Sequence, residues 1–451
     1  MSTENPSTEN PSTEKARAEK ASGARRLRPR LPAVLRDEPQ YRLLFTGQVL
    51  SILGDRMTGV VLPFAVLATG GGVGGVAIVS AAQFLPFAVL ALPAGVWADR
   101  LNRKRIVIAS DVTRMLCQLA AGLLLLAGTA HVAQLAALAA VYGAADAFFA
   151  PAFTGLLPGT VAPANLQPAN ALRGLSYSVG AIIGPVLGGL LVAYAGGPGG
   201  AFLFDAGTFA VSVACLIPLR PRVVSQVLHG EDPQASTTHF LTSLKEGWGE
   251  VRRRTWVLAF LGGMASYHVV VLPSIFVLGP VLAADTMDGA KSWALITAGF
   301  GLGCVLGDLL LLRWRPRFAV RVAALMLIGA SCQAAFIGSG APVVAIAGLE
   351  LLAGICVTGC FTLWETSLQE HVPDRALSRV SSYDYLTSAG LIPVGNLVAG
   401  AVSAGIGVRP ALLGMSVLGI ATAAVVASVP AVRRLPRGAD RTTGPTPTPT
   451  T

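Results

Sequence analysis

The sequence predicts an all-α polytopic membrane protein: twelve transmembrane helices arranged as two six-helix halves. Three observations carry that prediction. Of 451 residues, 53% are hydrophobic and only 13% charged. The apolar residues come in blocks about 20 residues long, the length at which a helix crosses the hydrocarbon layer. Most cations sit in the turns between the blocks and in the two tails, and they are denser in alternate turns, where the opposite set holds only Lys291 and Arg409, the pattern of a chain that keeps its basic loops on the cytoplasmic side. The same distribution argues against a nucleic-acid partner despite a net charge of +10, because no single face collects the Lys and Arg residues.

Residues 1–36 repeat Ser-Thr-Glu-Asn-Pro and then turn basic, which reads as a disordered cytoplasmic tail. Apolar blocks follow at approximately 42–69, 76–98, 105–127, 131–153, 170–195 and 200–219, making residues 37–220 an N-terminal six-helix half. A hydrophilic linker, 221–254, comes next. Within it Phe240, Leu241, Leu244, Trp248 and Val251 recur at helical spacing beside Lys245 and Arg252, so its second half predicts an amphipathic helix at the membrane surface. Blocks resume at approximately 255–284, 290–313, 319–338, 342–368, 377–403 and 408–430, giving a C-terminal half over 255–432. Residues 433–451 end in Pro-Thr repeats and read as a second disordered tail. Six cysteines all fall inside apolar blocks, where they read as small interior residues rather than as ligands or disulfides.

Orientation follows from the turns. The second and third spans are joined by Gly95-Val96-Trp97-Ala98-Asp99-Arg100-Leu101-Asn102-Arg103-Lys104-Arg105, whose four cations oppose translocation. Other turns on that side carry Arg220, Arg222, Arg252 to Arg254, Arg313 to Arg321, and Arg375 with Arg379, while the opposite set is rich in glycine. Both termini are therefore expected in the cytoplasm of a multi-pass protein of the bacterial plasma membrane. Two blocks of six around a cytoplasmic link also suggest an internal duplication with a central cavity between the halves.

Gly95-x-x-x-Asp99-Arg100-x-x-Arg103-Lys104, placed after the second of twelve spans, resembles the gating-loop signature of the major facilitator superfamily. In the fifth span, Gly180-x-x-x-Gly184-Pro185-x-x-Gly188-Gly189 is similar to the antiporter motif of that superfamily's proton-coupled exporters. Read physically, Gly180, Gly184 and Gly188 form a smooth helix face for close packing, and Pro185 bends the span. Stretches such as Leu166 to Leu172 and Phe204 to Phe209 resemble the drug-exporter branch that includes macrolide efflux proteins and siderophore exporters. The resemblance implies the major facilitator fold and export of a small molecule.

Acids within spans need a reason, because a charge at the bilayer centre costs roughly 3 kcal/mol. Gly47, Ser51, Asp55, Thr58 and Gly59 share one face of the first span, so that face is expected to line water and Asp55 to load and release a proton. The competing reading is a static ion pair with a cation from another helix. In the tenth span Glu350, Gly354, Thr358, Thr362 and Thr366 recur every four residues, making Glu350 the second proton-carrier candidate. Asp146 is a third, with Asp205 and Asp384 behind it. Asp111 and Arg114, at i and i+3 near the cytoplasmic end of the third span, are expected to form a cytoplasmic charge network, either pairing with each other or bracing Arg103. Ser51, Thr58, Thr358, Thr362 and Trp364 are the cavity-lining candidates, and Phe84, Phe87, Phe148 and Phe149 are aromatic wall candidates.

These readings point to a secondary active efflux transporter that exchanges protons for a hydrophobic or amphipathic small molecule. No catalytic constellation, metal-ligand cluster or nucleotide-binding loop stands out, so no enzyme activity, metal or cofactor is expected beyond the proton gradient. The expected partners are the transported molecule and membrane lipid, and the expected state is a monomer. The alternatives are an uptake permease for a polar metabolite and a non-transporting membrane sensor.

Overall fold

The computed structural model describes residues 33–222 and 248–437, with the side chains of a few positions near residues 92–100 and 374–382 left undescribed. Twelve helices in it are long and apolar enough to cross a membrane. The first six are α1 (Pro39–Ala68), α2 (Gly72–Arg100), α3 (Arg103–Leu126), α4 (Val132–Leu156), α5 (Leu166–Tyr194) and α6 (Gly197–Leu216). The second six are α7 (Thr255–Thr286), α8 (Gly289–Arg313), α9 (Ala319–Gly338), α10 (Val343–His371), α11 (Tyr383–Ile406) and α12 (Val408–Ser428). Two tail regions and most of the linker, including Phe240, Leu241, Leu244 and Lys245, lie outside the described residues, as do the side chains of Gly95, Asp99, Arg100, Arg375 and Arg379. Of the linker helix, 248–253 is described: Val251 is buried and the Trp248 ring lies tilted against Tyr383, centres 5.7 Å apart.

The turns differ by face. Every glycine with a positive φ falls in the turns after α1, α3, α5, α7, α9 and α11, so all lie on one side of the bundle. Gly196, at φ 82°, supplies the left-handed residue that lets α5 reverse into α6 within a few residues. The opposite side carries the basic turns. There Asn102 caps α3 by accepting the Arg105 N–H, Arg103 donates to the Gly155 carbonyl at the end of α4, and Lys104 donates to the Ile217 carbonyl past the end of α6. A cation placed on a helix's last carbonyls is stabilised by the helix dipole, so this turn ties α3 to both neighbours.

The halves repeat each other's packing. In the first, α2 lies on α4, α3 lies on α4 and α6, and α1 lies on α5 and α6; in the second, α8 lies on α10, α9 lies on α10 and α12, and α7 meets α11 and α12. The halves join through a matched pair of seams, α5 with α8 and α2 with α11. At those seams backbones nearly touch. A Cβ on Gly189 would meet Ala294 at 2.4 Å, one on Gly301 would meet the Ala181 carbonyl at 2.4 Å, and one on Gly400 would meet Ala77 at 2.5 Å. The Gly189 and Gly400 contacts lie toward the glycine-turn face, and the Gly301 contact lies midway along both helices. Toward the basic face Gly174 of α5 meets nothing, and the helix Asp374–Ser388 leading into α11 packs on α7. The halves therefore close at one face and part toward the other.

Helix irregularities cluster in the second half. Pro273 lacks an N–H, and α7 compensates with wide π-turns on either side, Tyr267–Val271 and Ser274–Leu278. In α11 a tight turn over Ala389–Leu391 precedes Pro393.

A tight seam within a half is α8 on α10, where a Cβ on Gly354 would meet the Phe300 carbonyl at 2.2 Å. Gly354→Val is expected to lower stability by about 1–3 kcal/mol, the usual cost of overpacking, seen as a lower melting temperature in detergent. Gly348→Val, on the same helix with open space around it, is expected to leave the melting temperature unchanged.

Candidate transport site

At the centre of the first half sits Arg114 of α3, with none of its side chain exposed. Its guanidinium serves three carboxylates from three helices: Asp111 of α3 at 2.5 Å, Asp55 of α1 at 3.3 Å and Asp146 of α4 at 3.3 Å. Phe149 and Phe209 lie 4.2 and 4.7 Å from its central carbon and keep water off it. Asp111 is wholly buried and also accepts from the Ser212 hydroxyl at 2.7 Å. Tyr142 donates to Asp55. The side chains of Asp55 and Asp146 keep 32% and 41% of their exposure, and Tyr385 of α11 and Arg56 of α1 both lie within electrostatic reach of Asp146. Those two acids thus face the gap between the halves.

A second polar cluster lies immediately beneath. Asp205 of α6 accepts from Gln118 at 2.5 Å, from Thr58 at 2.9 Å and from Thr208 at 3.0 Å. Gly54 makes room for it, since a Cβ there would meet the Asp205 carboxylate at 1.8 Å. Beside this cluster Thr58, Gln83, Gln118 and Tyr142 line a void of about 20 Å³, enough for one water.

The second half holds a buried acid without a cation. Glu350 of α10 is fully buried and accepts from the Gln333 amide at 2.9 Å, and among the described residues it has no cation beside it and its other oxygen has no partner. Gln333 in turn accepts from the Tyr267 hydroxyl at 3.2 Å, beside the first π-turn of α7.

Several expectations need correction. The small polar stripe of α1 does not line water: Gly47 and Gly54 seat α6, Ser51 and Thr58 are buried, and only Asp55 and Gly59 look into open space. Trp364 is core, 1% exposed, stacked on Phe260 at 4.3 Å and donating to Asp384 at 2.8 Å. Thr358 and Thr362 are half-buried along α10. Phe149 covers Arg114, and Phe84 and Phe148 pair with Phe276 and Trp97. Asp111 and Arg114 pair with one another, the first of the two expectations for them, and do not brace Arg103, which reaches α4. For Asp55 the ion pair with a cation from another helix is present, yet the carboxylate stays open to the gap. Sequence reasoning missed Tyr142, Gln118 and Gln333; an amide or phenol amid an apolar span was the available signal.

The antiporter-motif glycines hold α5 to both halves. Cβ atoms on Gly180, Gly184 and Gly188 would meet Ile52, Arg56 and Met57 of α1 at 3.0, 2.5 and 2.8 Å, while Gly189 turns to α8. Pro185 lies on the buried side of the same helix. Outside the spans, Glu38 precedes α1 and accepts from the Ala162 N–H at 2.8 Å and from Asn165 at 3.1 Å. Those donors, the backbone N–H first, hold its carboxyl below the usual range.

Removing Arg114 strands three acids in an apolar bundle. Arg114→Met is expected to destabilise the protein by about 3–5 kcal/mol, read as loss of the folded fraction on heating in detergent. Asp55→Asn and Asp146→Asn, which relieve negative charge, are expected to fold.

The Major Facilitator Superfamily family model matches residues 44–394. The chain is 28% identical over 414 residues to the multidrug efflux pump Tap of Mycobacterium tuberculosis, covering 88% of this chain and 94% of that protein. It is 28% identical over 369 residues to the enterobactin exporter EntS of Escherichia coli, covering 77% and 82%. Among solved structures it superposes on the nucleoside transporter NupG with a TM-score of 0.69 at 12% identity, over 86% of this chain and 98% of that one. A bacterial homologue of the iron transporter ferroportin, in an inward-facing state, gives 0.65 at 16% identity over 87% and 99%. With twelve spans, two like halves and a matching family model over most of its length, this chain belongs to the major facilitator superfamily.

Proposed function

We propose that the protein is a secondary active exporter that sends a hydrophobic or amphipathic small molecule out of a bacterial cell in exchange for protons. The observation that carries this reading is the sharing of the Arg114 guanidinium among Asp55, Asp111 and Asp146, two of which open to the gap between the halves. One positive charge leaves a surplus of negative charge in a medium where unbalanced charge is expensive, and a proton on a gap-facing acid removes it. The direction of transport is supported by the efflux relatives.

Coupling then has a physical route. Protonating Asp55 or Asp146 weakens one of the 3.3 Å contacts that tie α1 and α4 to α3. Deprotonation restores it. A ligand favours one arrangement of the halves only by binding it more tightly, so proton and cargo act on the same equilibrium when both contact these helices. Rocking takes place about the α5–α8 and α2–α11 seams. The same reading places both termini in the cytoplasm and takes the working unit as a monomer in lipid.

The test uses inside-out membrane vesicles, acidified within, and a panel of amphipathic dyes of either charge. Wild-type protein is expected to accumulate at least one dye, and collapse of the pH gradient to abolish accumulation. Asp55→Asn is expected to lose gradient-driven uptake while still exchanging dye across the membrane at zero gradient. Unchanged gradient-driven uptake in both Asp55→Asn and Asp146→Asn refutes the coupling.

A further inference from the structure

Two arginines stand apart from the Arg114 cluster, one midway along α1 and one toward the basic-face end of α5. Arg56 follows Asp55 on α1 and is exposed; Arg173, two turns into α5, is half-buried. Neither forms an ion pair with a described carboxylate. Both instead rest on one ring: the Arg56 and Arg173 guanidinium carbons lie 5.6 and 5.7 Å from the centre of Tyr177, and Arg173 is also 5.0 Å from Phe153.

Their placement follows from the glycine face of α5. Arg173, Tyr177, Gly180, Gly184 and Gly188 recur every three or four residues and so share one side of the helix. The stem of Arg56 lies in the groove those glycines leave, where a Cβ on Gly184 would meet the Arg56 Cβ at 2.5 Å and one on Gly180 its Cγ at 3.5 Å. The head of Arg56 therefore points along α5 into the gap. Asp146 of α4 and Cys304 of α8 lie within electrostatic reach of it, but Asp146 is already engaged by Arg114. Asp308, one turn beyond Cys304, is exposed and unpaired among the described residues.

A guanidinium at this depth persists when it is hydrated, paired or used. Two of them flanking one aromatic ring present donors for an anionic group and a flat face for an apolar body. We infer that Arg56, Tyr177 and Arg173 form a subsite for an organic anion with an aromatic or apolar body, the acidic group held between the guanidiniums and the body lying on Tyr177. The assignment rests on the transport reading and names the chemistry of its cargo.

Equilibrium binding tests it without any flux measurement. The full-length protein in lipid nanodiscs made only of zwitterionic phosphatidylcholine is titrated calorimetrically with 2-naphthalenesulfonate and with 2-naphthylmethylammonium, ions that share a ring system and differ in charge. The sulfonate is expected to bind about tenfold or more tighter than the ammonium. Arg56→Gln and Arg173→Gln are each expected to weaken the sulfonate about tenfold, with Arg56→Lys recovering part of the loss and all variants melting near the wild type. Equal binding of the two ions by the wild type, or undiminished sulfonate binding in both glutamine variants, overturns the subsite. Loss of sulfonate binding when phosphatidylglycerol is added to the discs assigns the site to lipid phosphate and overturns the assignment to cargo. Sulfonate binding that depends on Arg56 in a protein with no proton-driven flux sinks the transport reading and leaves the subsite standing.

Discussion

One guanidinium shared by three carboxylates inside a lipid-spanning bundle is the constraint on which the rest depends. Arg114 is wholly buried, so its charge must be balanced by side chains brought from α1, α3 and α4. That requirement fixes how the three helices meet. Gly54 and Gly47 let α6 come close enough for Ser212 to hold Asp111 and for Asp205 to reach Thr58. Burial of the pair Asp111–Arg114 is complete, whereas Asp55 and Asp146 stay half open, so the cluster has a fixed interior edge and a responsive edge toward the gap.

The second half balances its charge differently. Glu350 has an amide and no cation, in a region where α7 is loosened by Pro273 into two π-turns. The packing of the halves is repeated while their polar interiors are not. Small residues carry the close backbone contacts in both halves, whereas the ionisable side chains differ. The seams between the halves are of the first kind: Gly189 and Gly400 permit close approach toward the glycine-turn face and Gly301 at mid-helix.

Much of the fold was legible in the sequence because its signals are long and redundant. Blocks of about 20 apolar residues and the alternation of basic and glycine-rich turns gave twelve spans, each within a few residues of the observed helices. Helical periodicity also found Asp55, Asp146 and Arg114. What it did not find is direction. A small polar stripe such as Gly47, Ser51 and Thr58 reads the same whether it faces water or another helix, and here α6 covers it. The Thr358 and Trp364 region likewise faces partly into packing, and Trp364 is held by Phe260 and Asp384. Partners from distant spans, Tyr142 for Asp55 and Gln333 for Glu350, carry no local pattern at all. The antiporter-like glycines were legible as a packing face, but the residues that fill it, Ile52, Arg56 and Met57, emerge only from the fold.

The central claim is that the gap-facing acids around Arg114 take up and release a proton. Infrared difference spectra of the lipid-embedded protein, recorded as pH is stepped from alkaline to acid, read protonated carboxyl groups directly. A carboxyl C=O band that appears with acid in the wild type and is diminished in both Asp55→Asn and Asp146→Asn is the predicted result. A band unaltered by both substitutions contradicts the account.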